Sequence, residues 1–239
     1  RGGFKLGGQA RPLENPPSPP FAKGGTGSAS ILDKMDFAFF LIQLLNGLQY
    51  GLLLFLVASG LTLIFGIMGI INLAHGSFYM LGAYLAWSLA GLTGSLVAAI
   101  LVAVPLTVLF GMALEWLLIR RLYERDHLFQ VLLTYGLILV FEELRSIVWG
   151  DDVHGVPVPE LLNASIRLTE NLSYPVYRLF ISGVCLLLAL GLYLLIQRTR
   201  VGMMIRAGAS NRDMAQSLGI NIKFIYTLVF TLGVALAAF

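Results

Sequence analysis

Residues 60–84 read GLTLIFGIMGIINLAHGSFYMLGAY. The stretch is almost wholly apolar, yet it holds Asn72 and His75, and Gly66, Gly69 and Gly76 interrupt it. A plain membrane anchor has no use for an Asn, a His and three glycines in so short a run. A helix that must break inside a bilayer, and present polar groups to a passing solute, has use for all of them. The stretch therefore implies a permeation element.

The rest of the composition agrees. Of 239 residues, 57% are hydrophobic and 12% charged, against roughly 25% charged in soluble domains. No Asp, Glu, Lys or Arg occurs between Asp36 and Glu115. A spanning helix takes about 20 apolar residues, so this interval alone has room for two to three. The pattern predicts an all-α polytopic membrane protein of about six transmembrane spans. A β-barrel would alternate in segments of about ten residues, which this chain does not do. The net charge of +3 sits in short loops, where the positive-inside rule accounts for it without nucleic acid. The single Cys185 lies in an apolar run and reads as a buried, inert thiol.

Taken in order, residues 1–34 hold five of the nine prolines and no apolar core. They read as a disordered tail, either a genuine one or upstream sequence from a misplaced start, since the first Met is Met35. Residues 35–239 form the transmembrane domain. The apolar run 37–71 is too long for one straight crossing of a hydrocarbon core about 30 Å thick. A first span is expected at 38–58 and a broken or re-entrant segment near 61–76, as a half-helix, a re-entrant turn or a tilted extension. Gly47 and Gly51 form a GxxxG that suggests close helix contact, and Gly82, Ala86 and Ala90 form a second small-residue seam. Further spans are expected at 97–119, kinked at Pro105, at 128–149 and at 177–196. Arg-rich loops at 120–127 and 197–223 belong on the cytoplasmic side and the acidic loop 150–175 outside. Residues 224–239 begin another span and stop in ALAAF, which reads as a truncation with C-terminal spans missing.

Two readings stand for Asn72 and His75. They line a substrate pathway, or Asn72 caps the helix that follows the break while His75 bonds a neighbouring backbone. Glu142, Glu143 and Arg145 sit inside the fourth apolar run, where charge is costly. Glu142 either lines the pathway or pairs locally with Arg145 at i,i+3. In the loop RTRVGMMIRAGASNRDMAQSLGIN, Ser210 or Asn211 is placed to cap a short helix opening at Arg212, with Asp213 in its first turn and Gly219 at its end. That helix is a docking element for a soluble partner or a surface-lying connector. No nucleotide-binding, HExxH or GxSxG motif is present, and a lone intramembrane His makes a poor metal site, so no metal and no catalytic residue are expected.

Residues 60–84 and the stretch 198–221 resemble the branched-chain amino acid permease family, the integral membrane subunits of bacterial ATP-binding cassette importers. The resemblance covers about 35–239. It implies a multi-pass subunit of the bacterial inner (plasma) membrane, in contact with membrane lipid, that is not itself an enzyme. Implied partners are a second homologous permease subunit, two cytoplasmic ATPase subunits that bind and hydrolyse the ATP, and a periplasmic amino acid binding protein. No cofactor is implied in this chain. The substrate pathway is read, from the broken helix and the intramembrane charge rather than from the resemblance, as Gly66, Gly69, Asn72, His75, Gly76 and Glu142. The implied ATPase-coupling residues are Asn211, Arg212, Asp213, Ala215, Leu218, Gly219 and Asn221, with small Ala215 and Gly219 letting the ATPase approach. The substrates implied are branched-chain amino acids, with urea or short amides as alternatives inside the family. A secondary transporter or channel is the alternative outside it.

Overall fold

The computed structural model describes residues 26–123, 125–156, 159, 162–169 and 172–239. Residues 1–25 of the expected tail lie outside that set. Eight α-helices are described: α1 (Thr26–Met68), α2 (His75–Thr93), α3 (Leu96–Leu117), α4 (His127–Trp149), α5 (Val176–Arg198), α6 (Arg200–Ser210), α7 (Arg212–Ser217) and α8 (Ile222–Ala238). A 3-10 turn, Ile119–Leu122, joins α3 to α4. Helix α1 starts at Thr26, inside the expected tail, because the prolines end at Pro20 and only Gly27 interrupts the residues that follow.

Among the described residues, three helices are long and apolar enough to cross a membrane: Phe39–Met68 within α1, α3 and α5; α8 is apolar but shorter. Of the alternatives left open for the residues after the first span at 38–58, the extension is the one found. Residues 61–68 simply continue α1, which is helical without interruption to Met68. The thirty apolar residues of Phe39–Met68 rise about 45 Å, so the helix must lean or project beyond the hydrocarbon. Helix α3 runs through Pro105.

Helix α8 stands in the middle, packed by α1, α2 and α3. Glycines on the three neighbours allow the approach. A Cβ on Gly60 would lie 2.7 Å from Gly233 O, one on Gly82 would strike Ala238, and one on Gly111 would lie 2.9 Å from Val234 Cγ1. Small residues serve in this way wherever lipid supplies no hydrophobic push between helices. Gly82 of the expected seam is thus at a close contact. Gly47 and Gly51 are not, since a Cβ at either meets nothing within 4 Å; their face of α1 is open among the described residues. The core between the helices is aliphatic and aromatic, with Phe78 meeting Phe141 and Phe230 edge-on at 5.7 and 5.9 Å.

Helix α5 packs on the flank of α1. There Arg178 Nη1 donates to Asn46 Oδ1 at 2.5 Å, and Cys185 is buried beside Leu56 and Leu236. The expected loop 150–175 contains an antiparallel hairpin, β1 (Ser165–Thr169) with β2 (Leu172–Pro175), pairing Ile166 with Tyr174 and Arg167 with Ser173.

The bundle has two distinct ends. At one, the C-terminus of α1 meets α6 and α7, and the 3-10 turn lies nearby. At the other, α2, α4 and the following loop are latched together. Trp149 Nε1 donates to Ser88 Oγ at 2.7 Å, and the His154 ring stacks on Trp87 at 4.0 Å. The loops 120–127 and 197–223 share the first end and residues 150–156 lie at the second, which is the grouping the charge pattern predicts.

Candidate functional site

The break falls at 69–74, between α1 and α2. Gly69 takes a left-handed φ of +67°, a conformation costly to any residue with a Cβ, and closes α1 by donating its N–H to Phe65 O at 2.9 Å. His75, the first residue of α2, reaches back along α1: its Nε2 lies 3.1 Å from Val57 O. Val57 is eleven residues before Met68, about 16 Å of helix rise. Residues 69–74 therefore run back alongside the last turns of α1. The expected break is found, narrowed to these residues. Gly66 lies within α1 and Gly76 within α2, and a Cβ at either meets nothing within 4 Å.

Breaking a helix in an apolar surround exposes backbone groups that need partners. Here the Ile67 carbonyl accepts from Arg212 Nη2 at 3.2 Å, and the Asn72 carbonyl accepts from His75 N at 3.3 Å. Ile71 O lies 3.4 Å from Thr134 Oγ1, whose single proton is shared with Gln130 O at 2.8 Å. The side chains fare differently. Asn72 is 2% exposed, and neither its Oδ1 nor its Nδ2 has a partner. The expected Asn72 cap is absent: α2 has Ala74 at its N-cap position and no side-chain cap. His75 does bond a backbone carbonyl, and because a carbonyl only accepts, Nε2 carries the proton. In the neutral ring Nδ1 is then an acceptor, and it too is buried and unpartnered. Three polar atoms within four residues are thus free to meet a solute that both donates and accepts.

The second group of expected residues forms α7. Asn211 Oδ1 accepts from Met214 N at 3.0 Å and Asp213 lies in the first turn. The end is a Schellman turn, with Ile220 N donating to Ala215 O at 3.1 Å and Gly219 at φ +85°. Asn221 caps the next helix, its Oδ1 accepting from Phe224 N at 3.1 Å. Ala215 and its neighbours on α7 face opposite ways. Ala215 is 2% exposed and faces its own chain, whereas Met214 and Leu218, one turn apart, are 65% and 76% exposed. A cleft of about 520 Å3 lies between α7, Tyr123 and Tyr226 and holds Arg212, Asp213 and Lys223. Helix α6 escaped the sequence reading, although Thr199 caps it through Gly202 N at 3.0 Å and Gly202, Ile205 and Gly208 form its buried stripe.

Glu142 and Glu143 are both exposed on α4, next to buried Phe141. The expected Glu142–Arg145 pair does not form. Arg145 turns to the loop instead, with Nη2 2.8 Å from Asp151 Oδ1 and Nη1 donating to Gly150 O at 2.7 Å. The guanidinium thus ties α4 to the turn that follows it. The guanidinium holds the Asp151 carboxyl below the usual aspartate range. A buried carboxylate that sequence reasoning missed is Glu115, 1% exposed in α3. It accepts from Tyr123 Oη and, at 3.1 Å, from Thr227 Oγ1 of α8. Burial, with the Glu115 carboxylate next, holds the Tyr123 phenol well above its ordinary range, so it stays a donor. The available signal was that Glu115 is the first charge after the long uncharged interval. Among the described residues no group of three or more His, Cys, Asp or Glu side chains could hold a metal ion.

Residues 43–239 match the family described as "Branched-chain amino acid transport system / permease component". The high-affinity branched-chain amino acid transport system permease protein BraD of Pseudomonas aeruginosa is 32% identical over 214 residues, covering 83% of this chain and 68% of that protein. The corresponding permease protein LivH of Escherichia coli K12 is 30% identical over 216 residues, 85% of this chain and 70% of its own length. A probable LivH of Methanocaldococcus jannaschii is 28% identical over 207 residues, 79% of this chain and 61% of that protein. No solved structure matches the chain.

Proposed function

Because the chain belongs to the branched-chain amino acid transport permease family, we propose that it is the membrane subunit of an ATP-binding cassette importer, moving branched-chain amino acids inward across the bacterial inner membrane. The observation that carries this reading is the break at 69–74, with Asn72 and His75 buried there and short of partners. A buried polar group left unpaired costs about 1–3 kcal/mol, an expense that a transport site recovers when a solute arrives. An amino acid zwitterion offers an ammonium that donates and a carboxylate that accepts. Asn72 Oδ1 and His75 Nδ1 suit the first, and Asn72 Nδ2 the second. Ala74 and Phe78 on the same stretch belong to an apolar cluster of the kind a branched side chain prefers.

In this reading six elements cross the membrane: α1, α2 with the returning segment, α3, α4, α5 and α8. The α7 end is cytoplasmic and the hairpin end faces the periplasm. A second homologous permease subunit completes the pathway, and exposed apolar faces of α1 and α5 meet it or lipid. A periplasmic binding protein delivers the amino acid. Two ATPase subunits bind and hydrolyse ATP, and the exposed Met214–Leu218 pair of α7 is the knob they grip. Glu142 faces outward from α4, toward the second subunit or the outer part of the path.

The test is ATP hydrolysis by the assembled complex in detergent or nanodiscs. Addition of leucine-loaded binding protein raises the rate several-fold, and empty binding protein raises it less. Uptake by the permease with no ATPase present would contradict the importer reading and point to a secondary transporter.

A further inference from the structure

One side chain joins α7 to the break. Arg212, the first residue of α7, sends Nη2 to Ile67 O at 3.2 Å. A Cβ placed on Gly69 would lie 2.9 Å from the same nitrogen. The guanidinium carbon stands 5.7 Å from the centre of the Tyr226 ring on α8. Ile67 is among the last residues of α1, so its carbonyl has no helical donor and belongs to the negative end of the helix dipole. A guanidinium is suited to that position, being always charged and presenting several donors in a rigid fork. Two residues further on, Gly69 makes the left-handed turn from which the segment bearing Asn72 and His75 departs.

We propose that Arg212 is the positioning residue through which movement of α7 reaches the 69–74 segment and resets Asn72 and His75. The proposal rests on the permease reading. A static brace would be buried and packed. Arg212 is exposed, holds α1 by a hydrogen bond to Ile67 O and α8 by a cation–π contact with Tyr226, and both can break and re-form as α7 is pushed. Helix α7 is a unit that can be pushed: six residues long, exposed along its outer face, and ended by the positive-φ Gly219.

The experiment places a reporter thiol at Leu73→Cys in the reconstituted complex with its ATPases and binding protein. Leu73 is 44% exposed, and Cys185, the chain's single cysteine, is buried. Maleimide labelling is followed with and without ATP and vanadate, beside ATP-driven uptake. With Arg212 present, the nucleotide changes the labelling rate several-fold. Arg212→Gln abolishes that change while the ATPase still co-purifies, and Arg212→Lys, which keeps the charge and loses the fork, leaves a smaller change. If Arg212→Gln reduces recovery of the folded permease itself, Arg212→Lys alone decides: a full-sized change in it overturns the proposal. A nucleotide-dependent change that persists in Arg212→Gln overturns it as well, and so does loss of ATPase co-purification in that variant, which would make Arg212 a docking residue. No change with Arg212 present while uptake still depends on ATP overturns the link and leaves the permease reading standing. Uptake that is independent of ATP overturns both.

Discussion

Asn72 has a carboxamide that is buried and makes no hydrogen bond. For a residue kept for stability this is the wrong arrangement, since the unpaired group costs about 1–3 kcal/mol. Asn72→Leu, close in volume, should therefore leave the melting temperature unchanged or raised while substrate transport falls at least tenfold. A lowered melting temperature with transport retained would make Asn72 structural. Asp151 makes an opposite case at the other end, where its partner is known. Arg145 holds its folded-state pKa below the unfolded value. The contribution to stability is then complete above the ordinary aspartate range and is lost as pH falls through the lowered folded value. The 13C shift of the Asp151 carboxyl should titrate below the ordinary range and move back up in Arg145→Gln; titration at the ordinary value in both would remove the contact. Asn72 and His75 were legible because polar residues in an uncharged interval stand out. Arg145 was legible as a costly charge, but its partner was not, because i,i+3 spacing proposes Glu142 while the chain's turn at Gly150 brings Asp151 within reach.

At the scale of elements, α7 was readable from local chemistry: an Asn before its first turn, an acid in that turn and a glycine after it. Which face of α7 looks outward was not readable, because a helix of six residues has too few positions for a periodic stripe. The structure turns Ala215 inward and Met214 and Leu218 outward. Leu218→Asp should consequently abolish co-purification of the ATPase and leave the folded permease intact, since the side chain is 76% exposed and a charge there is solvated. Retained co-purification would move the docking surface elsewhere on the α7 end. Helix α6 was missed for a related reason: its buried stripe is two glycines and Ile205, and glycines read as turn residues until the neighbour they admit is known. The uninterrupted α1 was left as one of three alternatives because length alone does not place the break within 37–71, whereas Gly66 is tolerated inside a helix and the turn waits for Gly69.

Across the whole molecule, the helical class and the order of the elements follow from hydropathy and charge, and the packing does not. The GxxxG at Gly47 and Gly51 was one of two close-contact signals in the sequence, yet close contacts gather on α8 at Gly60, Gly82, Gly111 and Gly233. These residues lie on different helices, and spacing along one helix cannot pair them. Gly233→Leu should drive a side chain into Ile64 and the Gly60 carbonyl, both within 3 Å of a Cβ, at a cost of about 1–3 kcal/mol or more. Gly47→Leu should be silent by the same thermal assay, and equal losses in the two would contradict the central place of α8. The packing draws the α7 end, the break and the core into one body, as the proposed coupling from one side requires. The most direct measurement is uptake of labelled leucine into proteoliposomes holding the permease with its partner subunit and ATPases. Uptake is expected only with ATP on the α7 side and leucine-loaded binding protein on the other. Uptake that proceeds without ATP or without the binding protein would contradict the importer reading.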